Sequence, residues 1–501
     1  MSNAFFDTVN NNYKDRSDVV LRFSAELTYS GPEFLSLVEE TSAKLRQVGL
    51  RAGDRIALEA FPKPLYIAAV VASLANGAIV VPINPNATIP EVDYIFDDAT
   101  PKFAIGDGGS FQSAAKDRIY GPKSYVGVGG DLEVPTHCNL LNTENILQRT
   151  SPLKLVNSKS EAEIRSFKPI EAPSLIGYTS GTTGKPKGAL LSLGNLYSSA
   201  KGLVSAWNWT KDDHLLHFLP LYHMHGLGVG LIGSLVAGSK ITFLERFSED
   251  LLFESIASEE ISMIFGVPTI YERIARDTRL ADLNKLRILV SGSAPLPMDL
   301  FNRLKGVLGE GPVERYGMTE TVMNTSNPFN GERKAGKVGV ALNGVSIKIA
   351  SDGEVLVKGD NVMIGYLGRP SANEEAFTPD GYFKTGDQGE IDEDGYLEIK
   401  GRKKDLIISG GFNVYPKEVE TELRSFRGIR EAAVVGRPSE LWGEEVVAFV
   451  ECSEKVDVSK LRELLKDRLS AYKVPKEIFI VEELPRNNLG KVLYGQIRQS
   501  L

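Results

Sequence analysis

Cysteine is almost absent: the 501 residues contain two, Cys138 and Cys452, far apart and without metal-type spacing. No disulfide framework can be built from them, and a reducing cytoplasm is the natural compartment. Positive charge is in deficit. The 57 Lys and Arg stand against 65 Asp and Glu, a formal net charge of −8, which argues against a nucleic-acid partner. No basic, apolar-cored leader occurs at Met1-Ser2-Asn3-Ala4-Phe5-Phe6-Asp7, so no signal peptide is expected. The ending Gln499-Ser500-Leu501 is not the peroxisomal tripeptide. A clean membrane span is missing too. No charge falls between Pro64 and Pro90, but Asn76-Gly77 interrupts the run and Pro82, Pro85 and Pro90 crowd its end. A buried helix (Leu65 to Leu74), a turn and a buried strand (Ala78 to Val81) fit better, with no membrane partner. There is no solenoid-like repeat.

What is present is an ordinary globular composition, 42% hydrophobic and 24% charged, in a chain too long for one core. Amphipathic helical stretches alternate with short β-branched runs, which predicts an α/β fold with parallel sheets. Arg55 to Glu59, Lys240 to Leu244 and Leu286 to Val290 read as strands. Phe34 to Val48, Asn195 to Ala206 and Leu251 to Ser258 read as helices. From Ala341 to Ile399 short strands and turns predict a β-rich subdomain. Gly401 to Asp405 reads as a hinge between apolar runs. Beyond it lies a small α+β unit with helices at Lys417 to Arg424 and Ser459 to Leu469. The expected division is a large domain over 1–400, a hinge at 401–405 and a small domain over 406–501.

The stretch Tyr178-Thr179-Ser180-Gly181-Thr182-Thr183-Gly184-Lys185-Pro186-Lys187-Gly188 concentrates hydroxyls, glycines and lysines after apolar Leu175-Ile176. Glycine lets backbone N–H groups turn toward an anion, and Ser, Thr and Lys187 add donors, which suits a triphosphate. The Walker spacing is absent, because Gly181 and Gly184 are too close and Pro186 follows Lys185.

This loop resembles the phosphate-binding loop of the adenylate-forming superfamily, which includes acyl-CoA synthetases, peptide-synthetase adenylation domains and luciferases. Arg315-Tyr316-Gly317-Met318-Thr319-Glu320, Phe383-Lys384-Thr385-Gly386-Asp387, Gly401-Arg402-Lys403-Lys404-Asp405 and Pro485-Arg486-Asn487-Asn488-Leu489-Gly490-Lys491 follow in the family's order. The resemblance implies a small C-terminal domain that rotates over the large one, with ATP, Mg2+ and coenzyme A as cofactor and co-substrates. It implies a nucleotide site at Thr179, Ser180, Gly181, Thr182, Thr183, Gly184, Lys187, Ser293, Glu314, Arg315, Tyr316, Thr319, Asp387 and Arg402. Tyr316 would stack on adenine and Asp387 would accept both ribose hydroxyls. Glu320 and Thr179 would hold the metal, Glu320 as the hard carboxylate ligand Mg2+ favours. Lys404 matches the hinge position, and Gly410 and Gly411 the wall of a pantetheine tunnel. Lys491 would bridge the attacking carboxylate and the α-phosphate, and His223 would gate the acyl pocket.

Two signals are decoys. His214, His217, His223 and His225 suggest zinc, but no helix-face ligand pair with a carboxylate accompanies them and Pro220 breaks the run. Gly228-Val229-Gly230-Leu231-Ile232-Gly233 has the dinucleotide spacing without the βαβ context, so close helix packing is expected instead. For the acid, Met318 to Pro328 and Gly411-Phe412-Asn413-Val414-Tyr415-Pro416 look like the malonate-activating members of the family. A diacid needs its second carboxylate neutralised, which arginine does best through its bidentate fork. Arg273, in Gly266-Val267-Pro268-Thr269-Ile270-Tyr271-Glu272-Arg273, is expected to do so. Met224 and Met323 would cap a short pocket, and Met224 argues against the α-methyl group of methylmalonate. Two alternatives stay open: a ligase for a medium-chain or aryl monocarboxylate, and an adenylation module that loads a carrier protein.

Overall fold

The computed structural model describes residues 4–106, 171–179, 186–409, 412–439, 442–486 and 490–501, together with the strand Ser124–Gly127. Caps set where its helices begin. The Glu33 carboxylate takes both the backbone N–H and the hydroxyl of Ser30, at 2.7 and 2.6 Å, ahead of the helix Gly31–Gln47. Ser192 and Asn195 cap the helix Leu193–Ala206 reciprocally, at 2.8 and 3.0 Å. Both helices therefore start earlier than the expected Phe34 and Asn195, because the cap and not the apolar stripe fixes the first turn. The uncharged run becomes the helix Pro64–Ala75, buried throughout from Tyr66 to Leu74, then a turn at Gly77 (φ 68) and the strand Ile79–Ile83. Among the described residues no helix is long and apolar enough to cross a membrane.

The large N-terminal domain carries two mixed, mainly parallel sheets. In the seven-stranded sheet Ile79–Ile83 lies between Arg55–Glu59 and Pro173–Thr179, and Lys187–Ser192 turns back antiparallel on Pro173–Thr179. In the nine-stranded sheet His214–His217, Met263–Gly266, Ile288–Ser291 and Val313–Tyr316 run parallel side by side. Their carboxyl ends open onto the Gly-, Ser- and Thr-bearing turns singled out above, the usual place for a ligand in an open α/β sheet. Residues 341–399 deliver the expected β-rich texture as a four-stranded antiparallel sheet, Val345–Ile349, Glu354–Gly359, Phe383–Ile391 and Leu397–Arg402. A 3-10 turn, Lys403–Asp405, leads out of it. The small C-terminal domain has its own five-stranded sheet, with Ile429–Ser439 and Gly443–Cys452 as its long antiparallel pair. Its separate apolar core includes Val419, Leu423, Val434, Val450 and Leu465.

The glycine-rich run at 228–233 follows the packing expectation. It lies in a π-helical turn, His225–Ile232, and the helix after it. A Cβ on Gly230 would stand 2.5 Å from His217 Nε2, and one on Gly233 2.7 Å from the Trp209 ring. The four histidines do not converge on a common point. His214 bonds to Thr242 Oγ1 and His217 to the Gly226 carbonyl, each at 2.9 Å, while His225 Nδ1 faces Ser293 Oγ at 3.2 Å.

Candidate active site

Strand alternation sorts the residues of Val313–Tyr316. Tyr316 and its neighbour Arg315 point to opposite faces, because successive side chains in a strand alternate. On one face, the Tyr316 hydroxyl donates to Asp387 Oδ2 at 2.5 Å, and Arg402 Nε pairs with Asp387 Oδ1 at 2.8 Å. These three residues come from three separate motifs. Burial pushes the Asp387 carboxyl up from its ordinary value, and the Arg402 charge opposes that shift. Two further bonds hold the group, Asp387 N–H to Thr385 Oγ1 at 3.0 Å and Arg402 Nη1 to the Thr385 carbonyl at 3.2 Å.

A second cluster gathers around Glu320. Its Oε1 accepts from the Tyr366 hydroxyl at 3.0 Å, and the Lys187 ammonium lies 5.3 Å from the centroid of the same ring. Thr319 is pressed on the backbone of Gly177, where a Cβ would stand 2.4 Å from Thr319 Cγ2. Thr179 ends that strand, its hydroxyl 3.4 Å from the Lys187 carbonyl. The neighbouring Ser180, Gly181, Thr182, Thr183 and Gly184 lie outside the described residues, as do Gly410 and Gly411. The Glu320 carboxylate is thus tied through Tyr366 to Lys187, whose backbone carbonyl faces the Thr179 hydroxyl. That donor set fits a hard, phosphate-bound cation.

Lys491 reaches this region from the small domain. The turn before it abuts the large domain, where a Cβ on Gly490 would stand 3.0 Å from Thr269 Oγ1. Lys491 keeps solvent contact at the mouth of the cleft. Burial and the cations Arg402 and Lys404 nevertheless lower its pKa, against the opposing pull of Asp387 and Asp405. Lys404 itself is exposed in the 3-10 turn, while its neighbour Lys403 is committed to Asp352 and Glu354 at 2.7 and 2.9 Å.

Two expectations need correction. Glu314 does not face a nucleotide: its buried carboxylate accepts the N–H groups of Gly336 and Leu296 at 3.3 and 3.4 Å, and burial pushes it up to about 7. Arg273 does not enter a pocket. Its fork is taken by Glu249 through two bonds of 2.7 Å, its side chain is 53% exposed, and it stacks on Phe247. Only Pro268, Tyr271 and Ile274 are buried on its short helix, Pro268–Ile274, so Arg273 falls on the outer side.

Arg315, expected above as part of the nucleotide site, is enclosed by its own strand neighbours and the Gly292–Ser293 turn. On the face opposite Tyr316 its guanidinium is packed against Gly292, where a Cβ would stand 2.5 Å from both Cζ and Nε. Tyr271 and His225 lie within its electrostatic reach. Among the described residues its Nε and Nη2 are buried with no hydrogen-bond partner, and so are His225 Nε2 and Ser291 Oγ. Burial pushes Arg315 down to about 9. Ser293, at φ 70, adds a strained backbone beside it. His223, half-buried against Tyr222, is pushed down to about 4 by burial and is neutral. Met224 packs on Gly228 with Val322, and Met323 lies under Gly317. Tyr366 and the enclosure of Arg315 escaped the motif reading. Strand alternation at 315 and 316 was the available signal for the second, and no local signal existed for the first.

Residues 6–367 match the family model described as AMP-binding enzyme, and residues 418–491 match AMP-binding enzyme C-terminal domain. The chain is 33% identical to a malonate–CoA ligase from Arabidopsis thaliana, over 92% of this chain and 80% of that protein. It is 32% identical to a feruloyl-CoA synthase from an Amycolatopsis species, over 94% of both. Its structure superimposes on ATP-bound MatB from Rhodopseudomonas palustris with a TM-score of 0.89 at 34% identity, covering 100% of this chain and 99% of that one. Two matched domains, the ordered motifs and the Tyr316–Asp387–Arg402 cluster place the chain among the adenylate-forming enzymes of the AMP-binding family, as an AMP-forming acid–CoA ligase.

Proposed function

We propose that the acid is malonate, and that the Nε and Nη2 edge of the buried Arg315 guanidinium receives its distal carboxylate. The Nε and Nη2 edge left without partners is the edge that a carboxylate fits side-on with two parallel bonds. A buried charge stripped of its partner costs about 3–5 kcal/mol. A diacid offsets that cost on binding, and a feruloyl-like or medium-chain monoacid leaves it in place. The similarity to a malonate–CoA ligase supports the same reading.

In this reading the proximal carboxylate of malonate attacks the α-phosphate of ATP, giving malonyl-adenylate and pyrophosphate. Lys491 steadies the negative charge that develops on both reacting groups. Tyr316 and Asp387 hold the adenosine, and Arg402 orients Asp387. Glu320 and Thr179 would hold Mg2+, which supplies charge neutralisation of the phosphates. The small domain then rotates about Lys404, Lys491 withdraws, and the thiol of coenzyme A displaces AMP to form the thioester. One cleft thereby serves two reactions.

Pyrophosphate release across malonate, methylmalonate, propionate and ferulate, each with and without coenzyme A, tests the substrate. Malonate is expected to give the highest kcat/KM, and a preference for ferulate or propionate would refute the diacid reading. The pivot has its own test. Lys404→Pro is expected to keep pyrophosphate release and slow thioester formation about tenfold or more, because proline fixes φ and restricts the residue before it. Wild-type transfer by that variant would remove Lys404 from the pivot.

A further inference from the structure

We propose that Arg486 is a positioning residue for adenylation, a clasp that holds the turn presenting Lys491. The inference rests on the role of Lys491 proposed above. Arg486 Nη1 donates to the Gly490 carbonyl at 2.9 Å, one residue before Lys491. Its Nη2 lies 3.4 Å from Glu451 Oε1 and 3.6 Å from Glu431 Oε2. Both carboxylates are themselves anchored. Glu451 is buried, accepts the Leu484 N–H at 2.9 Å and pairs with Arg430 at 2.8 Å. Glu431 pairs with Arg424 at 2.7 Å. Behind the clasp the chain closes on itself, through an antiparallel bridge between Arg486 and Val492 and a 2.8 Å bond from Leu493 N–H to the Pro485 carbonyl.

Such an anchor has a physical reason. Arg402 and Lys404 repel the Lys491 ammonium while Asp387 and Asp405 attract it, so opposing charges do not by themselves fix where the backbone before Lys491 stands. The clasp fixes that position from the backbone, through the Gly490 carbonyl. Every member of the clasp belongs to the small domain and travels with it. Its loss therefore matters in the half-reaction that uses Lys491 and leaves the other unaffected.

The experiment compares Arg486→Ala and Arg486→Lys with Lys491→Ala in the full chain. Malonate-dependent pyrophosphate–ATP exchange is measured beside thioester formation from supplied malonyl-adenylate and coenzyme A. Arg486→Ala is expected to slow exchange about ten- to hundredfold, the effect of misplacing a catalytic group by roughly 1 Å. The loss is expected in kcat, with thioester formation within about twofold of wild type. Arg486→Lys keeps one donor for the Gly490 carbonyl and is expected to recover most of the loss. Normal exchange by Arg486→Ala beside a defective Lys491→Ala would overturn the clasp alone. Equal loss of both half-reactions in Arg486→Ala would reduce Arg486 to a folding role and also overturn it. Normal exchange by Lys491→Ala would overturn the clasp together with the reading on which it stands.

Discussion

Lys491→Ala is expected to lower malonate-dependent pyrophosphate release by a factor on the order of 100–1,000, the usual cost of removing one preorganised charge from a transition state. Thioester formation from supplied malonyl-adenylate is expected to continue. The asymmetry follows from where Lys491 sits. It stands on the small domain, one residue beyond a glycine that touches Thr269 of the large domain, in the fields of Asp387 and Arg402. Those contacts cross between domains and cannot survive a large rotation. A group supplied by one arrangement of the domains contributes only to the step run in that arrangement. Lys491→Arg is expected to recover little, since a planar fork does not replace a compact ammonium. Equal damage to both half-reactions would refute the division of labour.

Arg315→Met is expected to invert the acid preference. Malonate loses a charge-assisted contact of about 1.5–3 kcal/mol, a ten- to more than hundredfold fall in kcat/KM. Propionate is expected to hold steady or improve, because the substitution removes a buried charge that a monoacid leaves unpaired. Arg315→Lys is expected to keep part of the malonate activity, as an ammonium cannot fill both donor positions. Arg273→Ala serves as the contrast. Arg273 is half-exposed and already paired with Glu249, and removing a surface pair of this kind is expected to change the malonate-to-propionate ratio by less than about threefold. The measurement is kcat/KM for both acids in all four proteins. A ratio that moves with Arg273 and ignores Arg315 would return the diacid contact to the outer side of the Pro268–Ile274 helix.

The two arginines also mark how far the sequence could be read. The helices and strands that carry the fold announce themselves by periodicity, and the uncharged run from Pro64 to Pro90 resolves into helix, turn and strand once Asn76-Gly77 and the prolines are weighed. Tyr316, Asp387 and Arg402 are legible as one group because ordered motifs carry them, and in the structure they share hydrogen bonds. Arg273 and Arg315 differ in a way that motifs do not encode. Arg315 lies in a strand and Arg273 on a helix that follows a strand of the same sheet, and burial separates the paired, solvated fork from the enclosed one. Burial is a property of tertiary packing, set here by how closely Gly292 and Tyr271 approach. The same holds for Tyr366, which comes to Glu320 from a two-residue strand that no local pattern predicts.

A buried guanidinium edge with no hydrogen-bond partner among the described residues is a local frustration, and frustration of this kind makes a site easy to repurpose. Most substitutions in a packed interior lower stability, so new specificities usually need compensating changes elsewhere. Replacing Arg315 by a similarly sized apolar residue is expected to run the other way, relieving a buried charge while erasing the proposed diacid preference. The step between activating a diacid and activating a monoacid is thereby a downhill one for the fold. A scaffold with that property can drift between acids while keeping its nucleotide machinery intact.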